Sequence, residues 1–346
     1  MAWTTPEFSR RDVNASGRFL IDEQTNSIQS LQHALEIVNN WRSSHAFPLN
    51  TMQTYLRSKS KQFDQRSLVS QRIKRLSSIE SKLCRIPSLK LTQMQDIGGC
   101  RSVVGNLRHV DELVDVYHRS RIKHELIREN DYIANPKPCG YRSHHLVYRY
   151  YSDKNDIYTG LRIEIQIRSR LQHAWATAVE TVGTFTQQAL KSSQGERKWL
   201  RFFQLMSTVL ALQENRPGTP STPDNRTDLI AELKYYTSEL DVINRLRTYR
   251  VVAQMYPMLK DVRYFLLHVD SENEQTIVKG FRSNELNVAS NEYLEAEQKL
   301  RGTHSGDTVL VSVESLESLR HAYPNYFLDT SRFLEEVELA VSDNSI

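Results

Sequence analysis

Leu161-Arg162-Ile163-Glu164-Ile165-Gln166-Ile167-Arg168 alternates apolar and polar without a break. Successive side chains of a strand point to opposite faces, so Leu161, Ile163, Ile165 and Ile167 share one face and Arg162, Glu164, Gln166 and Arg168 share the other. One face belongs to a core, and the other is a row of charge. Immediately after it, Leu171, Trp175, Ala178, Val182 and Phe185 recur at helical spacing, as do Trp199, Phe203, Met206 and Leu210. Before it, His144 to Tyr151 is rich in strand formers, Asn135 to Gly140 is a Pro/Gly loop, and Val110, Leu113, Val114 and Tyr117 mark a helix over 109–118. Strands interleaved with amphipathic helices predict an α+β fold, a mixed β-sheet flanked by helices.

Further towards the N-terminus, Gly98-Gly99 precedes a strand-like segment over 101–104 and places Asp96 at a tight bend. Residues 72–83 read as a helix or helix start that puts Arg72, Lys74 and Lys82 on one face or its edge. Ile28, Leu31, Leu35, Val38 and Trp41 predict a packing helix over 26–42.

Towards the C-terminus, 216–225 holds Pro217, Gly218, Pro220 and Pro223 without apolar periodicity and is the linker candidate. This divides the chain into 1–215 and a smaller α+β unit, 226–346. In the latter, Leu229, Leu233, Tyr236, Leu240 and Ile243 predict a helix, and 264–269 with 276–281 a hairpin. A helix over 291–301 stops at Gly302, 308–313 is a strand, and two last helical pieces flank Tyr323-Pro324-Asn325-Tyr326.

A hydrophobic fraction of 39% and a charged fraction of 25% are those of a globular protein, and no run approaches a membrane span. The start lacks a secretory pattern, and Cys84, Cys100 and Cys139 form no zinc-site spacing, so the expectation is a reduced cytoplasmic protein without a structural metal. The net charge of +4 hides an asymmetry. Residues 1–216 hold 32 Lys and Arg against 20 Asp and Glu, whereas 217–346 hold 13 against 21, so the two parts attract each other. Residues 51–100 carry ten basic and three acidic side chains, which suits a polyanion such as a nucleoside triphosphate or RNA, and equally a solvated helical face.

Phosphoryl or pyrophosphoryl transfer needs cations for the phosphates, carboxylates for a magnesium ion and an acceptor for the hydroxyl proton. Asp96 and Glu164 are placed to meet across a sheet. Arg101 and Arg168 follow them by five and four residues, spacings that also suit ion pairs. The loop 131–143 adds Lys137, Arg142 and the rings of Tyr132 and Tyr141 beside Gly140, where a base can stack and backbone can approach a phosphate.

Taken together and in order, Arg72-x-Lys74-x-x-x-Ser78-Ile79-x-x-Lys82, Asp96-Ile97-Gly98-Gly99-Cys100-Arg101, Gly140-Tyr141-Arg142-Ser143-x-His145 and Glu164-Ile165-Gln166-Ile167-Arg168 resemble the motifs of RelA/SpoT-type synthetases. The resemblance covers roughly a third of the chain. It implies a nucleotidyltransferase-like synthetase domain that moves pyrophosphate from ATP to an acceptor hydroxyl. Asp96 and Glu164 would hold Mg2+, and Glu164 would also activate the hydroxyl. Arg72 would stack on adenine, Lys74, Ser78, Lys82 and Arg101 would grip the triphosphate, and Lys137, Tyr141, His145, Gln166 and Arg168 would hold the acceptor. The metal-dependent hydrolase of bifunctional members is not expected, since the leader offers only His33 and His45.

The family admits GDP or GTP as acceptor, giving (p)ppGpp, or the 3′-CCA end of tRNA. Tyr323-Pro324-Asn325-Tyr326 resembles the Tyr-x-x-Tyr motif of CapRel-like fused toxin and antitoxin proteins. That resemblance implies tRNA modification, autoinhibition through Tyr323 and Tyr326, and release by a phage protein such as a capsid protein. An acidic unit tethered to a basic one experiences a high effective concentration there. A catalytically inert RNA-binding or adaptor protein is the alternative from another class, and Asp96 and Glu164 argue against it.

Overall fold

The computed structural model describes residues 3–22, 28–153, 155–186, 190, 195–249, 262–270, 275–282, 284–300, 306–312 and 330–342. Its elements begin with three helices, α1 (Arg10–Phe19), α2 (Ile28–Ser43) and α3 (Ala46–Phe63). Then follow β1 (Leu68–Ile73), α4 (Leu76–Arg85), β2 (Gly98–Val104), α5 (Leu107–Arg119), β3 (Glu125–Asp131), β4 (His144–Arg149), β5 (Arg162–Ser169), α6 (Arg170–Phe185) and α7 (Arg197–Gln213). The remainder gives α8 (Arg226–Glu239), α9 (Val242–Tyr249), β6 (Val262–Asp270), β7 (Gln275–Arg282), α10 (Leu286–Leu300), β8 (Gly306–Ser312) and α11 (Ser331–Val341).

All eight strands join one mixed sheet in the order β3-β4-β5-β2-β1-β8-β6-β7. β2 and β5 run parallel, and the other neighbouring pairs are antiparallel. The alternating strand is β5, and its Ile163, Ile165 and Ile167 are buried in a core with α1 to α5 on one side of the sheet. A second core gathers Tyr141 with α6, α7, α8, α9 and α11. There Phe333 of α11 packs on Phe202 and Phe203 of α7, with ring centroids 6.2 and 5.9 Å apart.

The helix expected over 72–83 begins only at Leu76, and Arg72 lies on β1. Leu68-Val69-Ser70-Gln71-Arg72-Ile73 pairs with β2 along its whole length, and Arg75 stays extended, so ladder hydrogen bonds overrode the weak helical spacing. β3 escaped the sequence reading because Glu-Leu-Ile-Arg-Glu-Asn-Asp has no apolar alternation, as befits a charged edge strand.

The stretch 216–225 runs against α7. Arg142 Nη2 donates to Pro217 O at 2.7 Å, and the Thr219 N–H donates to Thr208 Oγ1 at 2.8 Å. The charge asymmetry has local counterparts: Arg42–Glu297, Lys198–Glu239 and Arg201–Glu232 each join a base before Arg216 to an acid after it. No described helix is long and apolar enough to cross a membrane. Tyr323 and Tyr326 lie outside the described residues.

Candidate functional site

The sheet register sets the site. Arg72 of β1 stands opposite Gly99 of β2, which stands opposite Glu164 of β5. In the next row Arg101 pairs with Gln166, and Gln166 with His145 of β4. Rows two residues apart share a face, so Arg72, Arg101, His145, Glu164, Gln166 and Arg168 all belong to the side of β5 opposite its isoleucines. A side chain at Gly99 would meet nothing nearer than the Glu164 carbonyl at 4.0 Å, so the middle of this row is open.

Asp96 precedes β2 and receives two lysines. Lys74 Nζ and Lys82 Nζ each donate to it at 2.8 Å, one from the end of β1 and the other from α4. Burial acts to raise the Asp96 carboxyl, but the two ammonium groups outweigh it and hold it far below the usual carboxylate range. Burial also lowers Lys74, against the pull of Asp96. Ser78 lies on the first turns of α4, between the two lysine positions in sequence.

Glu164 is held differently. His145 Nδ1–H donates to Oε1 at 3.0 Å, and Gln166 Nε2 donates to Oε2 at 2.6 Å. Burial raises the carboxyl, the hydrogen bond and charge of His145 lower it, and the balance lies below its ordinary value. His145 Nε2 is in turn 2.9 Å from the Tyr141 hydroxyl. That bond runs from Tyr141 O–H when the ring is neutral and from Nε2–H when it is protonated, and in both states Nδ1–H remains on Glu164. Burial pushes the Tyr141 phenol up to about 12. Lys137 Nζ stands 4.4 Å from the Tyr132 ring centroid and 5.1 Å from that of Tyr141, so the loop 131–143 brings a cation and two rings to one end of the site.

Arg168 is buried and bonded to His173 rather than to Glu164. Burial, with the neighbouring Arg101 and Arg72, lowers its guanidinium to about 9. Its Nε meets no acceptor among the described residues. Clustered guanidiniums with a buried, unsatisfied donor are the signature of an anion site.

Among the described residues no group of three or more His, Cys, Asp and Glu side chains forms a metal cage. Asp96 and Glu164 do feel each other electrostatically. Two hard carboxylates, with the rest of the shell left to phosphate oxygens and water, suit Mg2+ in a nucleotide site.

Residues 71–187 match the family model described as "Region found in RelA / SpoT proteins". Those residues are thus a region of the RelA/SpoT type. Every site residue named above from Arg72 to Arg168 falls inside the matched region. Two curated proteins from Bacillus subtilis are similar to part of the chain. GTP pyrophosphokinase YjbM is 35% identical over 114 residues, covering 32% of this chain and 52% of that protein. GTP pyrophosphokinase YwaC is 31% identical over 114 residues, covering 31% and 52%. The chain thus spans about half the length of the curated relatives it matches. Among solved structures, small alarmone synthetase 1 from Bacillus subtilis bound to its product pppGpp aligns at TM-score 0.44 with 21% identity, over 51% of this chain and 94% of that one.

Sequence reasoning found the carboxylates and cations but not all of their partners. Gln166 stands two residues from Glu164 on the same face of β5, as the alternation already places it, whereas the contact of His145 with Glu164 depends on the β4–β5 register, which no local pattern reveals.

Proposed function

We propose that the chain is an ATP-dependent pyrophosphokinase whose acceptor is a guanine nucleotide, GDP or GTP. The observation that carries the reading is the presence, at the neighbouring strands β2 and β5, of a lysine-bound carboxylate, Asp96, just before β2 and a second carboxylate, Glu164, on β5, fixed by His145 and Gln166.

ATP lies over the open row at Gly99, with Arg72 on its base and with Lys74, Ser78, Lys82 and Arg101 on its phosphates. Asp96 and Glu164 would hold Mg2+, which would supply charge neutralisation at the phosphate oxygens. The triphosphate gives Lys74 and Lys82, which now bind Asp96, a second anion to bind. The acceptor sits at Tyr141, Lys137, Gln166 and Arg168. Its hydroxyl oxygen attacks the β-phosphorus as the bond from that phosphorus to the α-phosphate oxygen breaks. AMP leaves, and the hydroxyl proton passes to Glu164, whose depressed pKa keeps it ionised at neutral pH and whose orientation His145 maintains.

GDP and GTP are favoured because the two curated relatives are named GTP pyrophosphokinases. The second reading takes the 3′-CCA end of tRNA as acceptor, blocking translation, with 226–346 restraining the enzyme through Tyr323 and Tyr326 until a phage protein, such as a capsid protein, binds. What favours it is the acidic second part drawn onto a basic first part, together with β8 lying against β1 beside Arg72. Incubation with ATP labelled on its γ-phosphate and GDP, GTP or bulk tRNA separates the two. Label on guanine nucleotides supports the first reading, label on tRNA alone replaces it with the second, and no transfer to GDP or GTP overturns the first.

A further inference from the structure

Arg42 of α2 and Glu297 of α10 are 255 residues apart in sequence and meet in the interior, with side chains 2% and 10% exposed. Arg42 Nη1 donates to Glu297 Oε2 at 2.9 Å and Nη2 to Oε1 at 3.2 Å, and the Tyr293 hydroxyl donates to the same Oε1 at 2.8 Å. Both members of the pair also reach the backbone that carries the lysines. Arg42 Nε donates to Lys74 O at 3.0 Å, and Glu297 Oε1 accepts the Leu76 N–H at 2.6 Å. These two peptide groups flank Arg75.

α4 begins at Leu76, and its N-cap residue, Arg75, has no side-chain oxygen with which to accept an amide of the first turn. Glu297 supplies that acceptor from the far end of the chain, and its negative charge matches the positive end of the helix dipole. On the other side, the Lys74 N–H donates to Ile97 O at 2.8 Å, so the backbone of Lys74 is fixed to β2 through one group and to Arg42 through the other. The side chains of Lys74 and Lys82 remain on Asp96. The network therefore holds the strand-to-helix turn and leaves its cations pointing into the site. Stability alone does not account for it, because a buried ion pair is often matched by an apolar pair of similar volume.

We infer that Arg42 and Glu297 are positioning residues for the triphosphate-binding segment 74–82, making α10 part of the frame of the ATP site. The inference rests on the reading of Lys74 and Lys82 as phosphate ligands. A small displacement of such a frame costs roughly 10- to 100-fold.

The test compares the full chain with the double variant Arg42→Met/Glu297→Leu, which keeps apolar volume while removing the bonds to Lys74 O and Leu76 N–H. The readouts are thermal unfolding, calorimetric affinity for the magnesium complex of α,β-methylene-ATP, and hydrogen exchange of the amides of 76–79. The expected result is a folded variant with faster exchange at those amides, analogue binding weakened roughly 10- to 100-fold, and unchanged affinity for GDP. A folded variant with parental exchange and parental analogue affinity overturns the inference. A parent that does not bind the analogue, together with faster exchange in the variant, instead removes the ATP-site reading and leaves the cap in place. Should the double variant fail to fold, Glu297→Met gives the same readouts, since it keeps much of the side chain's volume and removes the oxygen that accepts the Leu76 amide. Parental values in that variant overturn the inference as well.

Discussion

At Glu164 two effects oppose each other: burial favours the neutral acid, and His145 with Gln166 favours the carboxylate. The carboxylate wins, which suits a group that must accept a proton at neutral pH. Glu164→Gln should therefore lower kcat by roughly 10²- to 10⁴-fold while leaving nucleotide-analogue binding within a few-fold, measured by steady-state kinetics and calorimetry. Because the pKa is depressed, the acid limb of kcat/KM should lie below about pH 4.3, the value of an unperturbed glutamate. A limb near neutrality would assign the base to another group. Stability follows the same sign. Asp96 and Glu164 contribute stability above their unfolded pKa values, and that contribution is lost as pH falls through their lower folded values, so melting temperature should hold from neutrality to about pH 5 and drop below it. Both carboxylates were legible in the sequence, one from its place in an alternating strand and the other from the glycine pair beside it. The bond from His145 to Glu164 was not, because it comes from a strand pairing fixed by the whole sheet.

At the scale of elements, the site depends on four strands, β1, β2, β4 and β5, delivering side chains to one face with a gap between them. Gly99 makes that gap, flanked by Arg72 and Glu164. Gly99→Val should leave the strand as stable or more so, since a β-branched residue suits a sheet and meets no close neighbour, yet it should abolish nucleotide binding by filling the space. Unfolding curves and calorimetry on one preparation check both halves of that expectation. Its neighbour behaves oppositely. A side chain at Gly98 would come within 2.8 Å of Ile163 Cδ1, so Gly98→Ala should cost about 1–3 kcal/mol through overpacking, read from denaturant unfolding. The alternation of β5 was plain from the sequence. The helix expected over 72–83 takes in Arg72 and Ile73, the end of β1, because the strand pattern there is short and the two neighbouring strands, not its own residues, decide its conformation.

For the whole molecule, the second part is built into the first. β8 extends the sheet from β1, Glu297 reaches the turn before α4, and Phe333 fills a core otherwise closed by Phe202 and Phe203. Phe333→Ala should cost about 3–5 kcal/mol by leaving a cavity in that aromatic cluster, a large share of the 5–15 kcal/mol typical of a domain. Denaturant unfolding of the full chain measures it directly. For the same reason, removing 217–346 strips packing as well as any restraint, so the restrained reading is better tested by Tyr323→Ala in the full chain. That change should raise the transfer rate if the tyrosine restrains the enzyme and leave it unchanged if it does not. The charge asymmetry between the two parts was visible in the composition. Their joining through one sheet was not, because the strand formers at 308–313 do not name the strand they pair with.

The central claim is pyrophosphoryl transfer from ATP, and the most direct measurement follows all the nucleotides by phosphorus NMR during incubation of the full chain with ATP, Mg2+ and GTP. The account predicts AMP appearing in one-to-one ratio with a guanine nucleotide that carries a new diphosphate, and loss of both products in the Glu164→Gln variant. ADP as the product, or ATP left intact with every acceptor supplied, would contradict it.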